Sequence, residues 1–296
     1  MILQALLSIL LCLGVSVAQG DIILLLSNDR PPIANVAETI RQLYPGKVDV
    51  FNLHDDINRA VSVANLIEDH SFDQVVAVGL LAAQMARRYV SSKQVIFCQV
   101  LNYQEYDLIT PTMKGVSALA PTARQFQVWR EINPRLRRVG VITSHSMQPV
   151  IADAQESAKK FGIELVHEIV KSDREAPLAL SRMINVQGLW LVPDSSILSI
   201  EAIARVMMSA IKQDLQVLGF SPVLLAQGAL LSGIPDEIDI AQRVIGRLQQ
   251  AKGQSTIPGV SVAPLTKVQL QINPKAASKF GIVISDQAKE ILNHAD

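Results

Sequence analysis

Aromatic side chains are scarce in this chain, at 4% of 296 residues, and cysteine is scarcer, at Cys12 and Cys98. Cys12 lies in an apolar N-terminal run without the Leu-Ala-Gly context that precedes a lipidated cysteine. With that run removed, Cys98 stands alone in Val95-Ile-Phe-Cys-Gln-Val100. One cysteine cannot form an internal disulfide, and a small core residue is the reading. An excess of charge is lacking too, since Lys+Arg and Asp+Glu number 27 each. That balance, with no basic run and no aromatic-basic interleaving, leaves no footprint for nucleic acid or an anionic membrane. No nucleic-acid partner is expected, and the membrane is reached only through a partner.

Motifs for nucleotides and catalysis are missing as well. The first strand ends Ser27-Asn28-Asp29-Arg30 with no Gly-x-Gly-x-x-Gly behind it, so a dinucleotide would find no phosphate-binding turn. There is no Walker-type loop and no Gly-x-Ser-x-Gly. The histidines at 54, 70, 145, 167 and 294 show no metal-ligand spacing. His54-Asp55-Asp56 is the nearest approach to a metal cluster and reads as a solvated turn capping a helix. Neither a cofactor nor a metal is expected, and no nucleophile is paired with a base.

What is present begins with residues 1–20. Ile2 to Val17 carries no charge, and small residues follow at Ser16, Ala18 and Gly20. The run is short for a membrane span, which needs about 20 residues. It reads as a secretory signal cut after Ala18 or Gly20, with an uncleaved anchor as the alternative. Beyond it, apolar runs of strand length alternate with stretches of helical spacing. Strands are expected at 22–27, 48–53, 74–78, 95–101 and 115–119, then at 138–143, 163–170, 189–192, 216–220 and 229–234. Between them fall helices such as 33–43, 57–69, 81–89, 148–161, 174–185 and 199–212, with Pro121 opening one and 236–251 a long amphipathic one. One or two strands over 260–272 and helices near 274–280 and 286–294 complete the chain. Strand–helix alternation implies parallel sheets with right-handed crossovers. The class is α/β, with two Rossmann-like lobes facing each other across a cleft.

Ligands in open α/β sheets sit beyond the carboxyl ends of the strands. The polar residues at those ends are Ser27, Asn28 and Asp29, Gly79 with Leu80, and Asn102 with Tyr103 from the first half. From the second half come Ser144 to Ser146, Asp194 to Ser196, and Phe220 with Ser221. Free N–H groups and hydroxyls at helix starts suit a small anion, and a buried Asp suits an ammonium. Each has an alternative reading as an ordinary helix cap or packing residue. Trp190, in mid-strand, reads as core.

Val75-Val-Ala-Val-Gly79 with Val95-Ile-Phe-Cys-Gln-Val-Leu-Asn102, followed in order by Gly115-Val-Ser117, Arg138-Val-Gly-Val-Ile142, Val192-Pro-Asp-Ser195, Gln227-Gly-Ala-Leu-Leu231 and Ile272-Asn-Pro-Lys-Ala-Ala277, resembles ABC-transporter substrate-binding proteins of the tryptophan/tyrosine-binding type. The resemblance implies a type I periplasmic-binding fold, with crossover strands between two lobes that close on a ligand. It implies lobe 1 at residues 21–118 plus about 235–260, lobe 2 at 119–234, and a C-terminal segment, 261–296, belonging to either. It places the binding turns on Ser27–Asp29, Gly79–Leu80, Ser144, Asp194–Ser195 and Phe220–Ser221. Leu80 stands where a small hydroxyl residue is typical. The function implied is capture of a small molecule, such as an amino acid, in the periplasm for an ABC permease. A ligand sensor or regulatory protein with a degenerate cleft is the alternative. Less favoured is a small-acid enzyme using Asp29, Cys98 or Asp194.

Overall fold

The computed structural model describes residues 21–284. The segment read as a signal and the helix read over 286–294 lie outside the described residues. In chain order the first half runs β1 (Ile22–Leu26), α1 (Ile33–Leu43), β2 (Val48–Asn52), α2 (Ile57–Glu68), β3 (Gln74–Val78), α3 (Leu80–Tyr89), β4 (Gln94–Cys98) and β5 (Met113–Val116). The second half runs α4 (Thr122–Ile132), β6 (Arg138–Thr143), α5 (Gln148–Lys159), β7 (Glu164–Ile169), α6 (Ala176–Arg182), β8 (Gly188–Trp190), α7 (Ile200–Lys212), β9 (Gln216–Gly219), α8 (Pro222–Ala226) and β10 (Leu231–Pro235). The chain closes with α9 (Glu237–Ala251), β11 (Val262–Ala263), β12 (Val268–Ile272) and α10 (Pro274–Lys279).

These strands form two six-stranded sheets, β11-β5-β4-β3-β1-β2 and β12-β10-β9-β8-β6-β7. The first is parallel throughout, and the second is parallel except for β12 on β10. This is the two-lobed α/β plan expected from the alternating pattern.

β1 is apolar at every position because both its faces are covered. Ile22, Leu24 and Leu26 share a core with Val36 and Ile40 of α1 and with Ile240, Val244 and Leu248 of α9. Ile23 and Leu25 pack on the other face with α2 and α3. Burial of each such side chain contributes about 1.5–3 kcal/mol. The second sheet repeats the arrangement. Trp190 and Val192 face α4 and α5, while Leu189 and Leu191 face α6 and α7.

Within the described residues the chain passes between the sheets three times. Residues 117–121 lead from β5 to α4, Asp236 leads from β10 to α9, and residues 264–267 lead from β11 to β12. α9 packs on the first sheet, and the described part of the C-terminal segment divides, with β11 on the first sheet and β12 and α10 on the second. Asp239, in the first turn of α9, ties two of these passages together. Its Oδ2 accepts from the Thr266 and Lys267 N–H groups at 2.6 and 3.0 Å, and Arg243 Nε donates to Oδ1 at 3.0 Å. Burial alone would raise its carboxyl, but these bonds and the Arg243 charge hold it below the ordinary value.

Element bounds shift by a few residues at several elements, β4, β5, β8 and β10 among them, and two shifts have a clear local cause. Pro121 is extended (φ −62°, ψ 124°), so α4 starts one residue later than read. α6 is shorter than its apolar spacing suggests, because Met183 is extended and Asn185 has φ 59°.

Candidate functional site

The carboxyl ends of both sheets, with the first two passages, enclose a cavity of about 830 Å³. That is within the usual range for a small-molecule site. The first lobe supplies the β1–α1 turn (Pro31 to Ile33, Asn35) and the β4 exit (Gln99, Leu101). The second supplies the β8 exit (Trp190 to Pro193) and the β9 exit (Phe220 to Val223). Ala118 to Ala120 with Ile234, Pro235 and Glu237 form its wall on the hinge side, Gln269 and Gln271 of β12 join them, and Gln125 reaches in from α4. Gly233 makes room for Gln125, since a Cβ there would lie 2.6 Å from its Oε1. Trp190, read as core, packs edge-on against Phe126 at 5.0 Å between ring centroids and also lines the cavity.

Beside the cavity the two lobes bond directly to each other. Asn102, left-handed at φ 50° after β4, projects its amide across the cleft. Its Nδ2 is within donating distance of Asp194 Oδ1 (2.9 Å), Ser146 Oγ (3.0 Å) and Ser196 Oγ (3.2 Å), while its Oδ1 accepts from Ser195 N–H (3.1 Å) and Ser195 Oγ (3.2 Å). An amide has two hydrogens, so these acceptors share them. Asp194 is 1% exposed and also accepts from Ser144 N–H at 2.7 Å and Ser196 N–H at 3.1 Å. It does not cap α7, whose N-cap is Ser199, accepting from Ala202 N–H. Glu105 of the first lobe accepts from Ser196 Oγ at 2.8 Å. Burial would raise its carboxyl, but hydrogen bonds from Ser146, Ser196 and Asn102 outweigh that and hold it below the ordinary glutamate value.

The other expected residues are placed differently. Ser27 is buried and caps α3, its Oγ accepting from Ala82 N–H at 3.0 Å. Gly79 adopts φ 92°, and a Cβ there would lie 2.6 Å from Ser27 Oγ and 2.7 Å from Ile33 Cδ1. Leu80 packs on the core shared with α2 and α3. Asn28 donates to Asp55, which also pairs with Arg30, and Asp29 is exposed. Phe220 and Ser221 line the cavity, and Ser221 caps α8. So Asn102, Ser144, Asp194 and Ser195 come together across the cleft, Phe220 and Ser221 meet the cavity, and Ser27 with Gly79 shapes the first turn.

Sequence reading missed Glu105 and Asp239, and it missed the apolar wall. The signal for Asp239 is an acid on the core-facing stripe of a helix. For the wall there is none, because residues such as Leu119, Val192 and Ile234 look like ordinary core.

Chemistry of the acid–base kind finds little footing. Burial pushes the Cys98 thiol up to about 12, and it lies in the core of the first lobe. Among the described residues no group of His, Cys, Asp and Glu could hold a metal ion. His54-Asp55-Asp56 is a turn in which Asp56 caps α2. No helix among the described residues is long and apolar enough to cross a membrane.

Two lobes of parallel sheet, three passages and a cavity at the facing strand ends define a type I periplasmic-binding fold. The family model for "ABC transporter substrate binding protein" matches residues 37–296, and the chain belongs to that family. It is a family of solute-binding proteins, not of enzymes. Solved structures agree in fold. An ABC domain from Streptococcus pneumoniae in complex with L-Trp is 18% identical, with 91% of this chain and 98% of that one covered and a TM-score of 0.62. A conserved domain protein from Vibrio cholerae is 17% identical over 92% and 98%, with a TM-score of 0.61. The ligand-free, open form of a Clostridium difficile substrate-binding protein with adhesive properties is 15% identical over 90% and 96%, with a TM-score of 0.67. None of the curated proteins matches this chain.

Proposed function

We propose that this protein captures a small molecule in the interlobe cavity, outside the cytoplasm after removal of its N-terminal signal, and hands it to an ABC permease. The observation that carries the reading is the cavity of about 830 Å³ walled by the strand exits of both sheets. Phe220 and Ser221 are proposed as direct contacts. Asn102, Ser144, Asp194 and Ser195 act as the rim that holds the lobes together, and Ser27, Asn28, Asp29, Gly79 and Leu80 shape or flank the first lobe's turns. The lobes are taken as the two sheets with their helices, so that closure is rotation about the three passages. Ligand that binds the closed form better shifts the open–closed equilibrium, with no bond made or broken.

The regulatory alternative, with a degenerate cleft, has one observation in its favour: the rim residues are bonded to one another. A cavity that side chains leave unfilled favours the transport reading. The test is a thermal-shift screen over amino acids, sugars, polyols and apolar amines. A ligand at a hundred times its Kd adds about 2.7 kcal/mol, a rise of several degrees in Tm for a chain of this size. A wide panel that leaves Tm unmoved overturns the reading.

A further inference from the structure

The cavity's charge is one-sided. Among the described residues no lysine, arginine or histidine lines it, and the single ionisable one that does is Glu237, at the start of α9. The other polar side chains are neutral, chiefly amides and hydroxyls such as those of Asn35, Gln99, Gln125, Gln271, Thr122 and Ser221. Backbone donors are short as well. Pro31, Pro32, Pro193, Pro222 and Pro235 all lie in the wall, and proline has no N–H. Helix starts are the usual remedy for an anion, and the start of α4, with Thr122 in the wall, has neither a side-chain cap nor an acid in its first turn; the start of α9 is already occupied by carboxylates. The first turn of α9 carries Glu237 and Asp239, and Asp236 caps it with its own carboxylate. α1 opens behind Pro31-Pro32, and it too has no side-chain cap. A buried carboxylate with no partner costs several kcal/mol. Apolar side chains such as Ile33, Leu119, Val192 and Phe220 form most of the remaining surface.

Glu237 is held in place from the other side of the first lobe's α1–α9 pair. Asn35 Nδ2 donates to its Oε1 at 2.9 Å, leaving Oε2 for a further donor. Resting on the solute-binding reading, we propose that the ligand is a predominantly apolar amine with no free carboxylate, its ammonium paired with Glu237. The free amino acids themselves are selected against, because their carboxylate would enter a wall that carries no cationic side chain and already holds the Glu237 carboxylate.

Four compounds on one ring test this by isothermal titration with the whole protein: tryptamine, indole-3-ethanol, indole-3-propionate and L-tryptophan. Tryptamine is expected to bind most tightly, indole-3-ethanol about tenfold more weakly, and the two carboxylates more weakly still. Glu237→Gln should bring tryptamine down to the level of indole-3-ethanol while leaving indole-3-ethanol where it was. That second measurement also shows that the variant is folded. L-tryptophan or the propionate matching tryptamine overturns the ligand class and leaves the solute-binding reading standing. So does an unchanged affinity of the variant for tryptamine. If none of the four binds, the thermal-shift panel decides: a carboxylate-bearing hit overturns the ligand class alone, an apolar amine hit supports it, and a panel with no hit overturns both readings.

Discussion

Asn102 and Asp194 come from different sheets and meet across the cleft, Nδ2 to Oδ1 at 2.9 Å, with Asp194 simultaneously holding the Ser144 backbone at 2.7 Å. One carboxylate thus does two jobs, orienting a turn within its own lobe and fastening that lobe to the other. The two jobs separate by mutation.

Asn102→Gly keeps the left-handed backbone, which glycine adopts freely, and removes the amide's bonds across the cleft, while that of Ser196 to Glu105 remains. The ligand-free protein should open, read as a larger radius of gyration in small-angle scattering, with stability changed by less than about 1 kcal/mol. Asp194→Ala should open it too, and should also strand the Ser144 and Ser196 N–H groups at a cost of about 2–4 kcal/mol in urea denaturation. Equal stability for the two variants would show that Asp194 is not structural within its lobe.

Closure should weaken in acid through Glu105. Its carboxyl is held below the ordinary 4.5 in the folded, closed protein. A lowered folded value means a stabilising contribution that is complete above 4.5 and lost as pH falls through the depressed value. Scattering between pH 6 and 3 should show opening that begins below 4.5, and Glu105→Gln should flatten that part of the curve. An identical curve for the variant assigns acid opening to other carboxylates.

Gly79→Ala should be strongly disruptive to the first lobe. Positive φ costs an L-residue about 1–2 kcal/mol, and forcing Ser27 and Ile33 aside adds about 1–3 kcal/mol. The sum, about 2–5 kcal/mol, is to be read from urea denaturation, with loss of the Ser27 cap on α3 seen as faster hydrogen exchange at Ala82. A loss under 1 kcal/mol would mean that the turn relaxes freely.

Much of the fold was legible because strands covered on both faces are apolar at every position. Ile22 to Leu26 and Val75 to Val78 could not be mistaken. α6 was overread because apolar residues keep helical spacing past Arg182, where Met183 leaves the helix. At the site, polar residues at strand exits were visible, yet their partners were not. That Asn102 reaches Asp194 depends on how two lobes meet, which no local pattern encodes. The cavity wall was invisible for a plainer reason: side chains that line a hollow and side chains that fill a core have the same chemistry.

α9 closes the face of the first sheet that α1 only half covers. The ribosome makes the strands of that sheet first and reaches Ile240, Val244 and Leu248 only after β6 to β10 have been built. Until then the first lobe carries an open apolar flank, so it cannot finish folding as an independent nascent unit. A chain interrupted after residue 235 would have the sheet complete except for β11, but no cover for that flank. It should be caught by chaperones or proteases, and partial products should not accumulate as a stable half-protein.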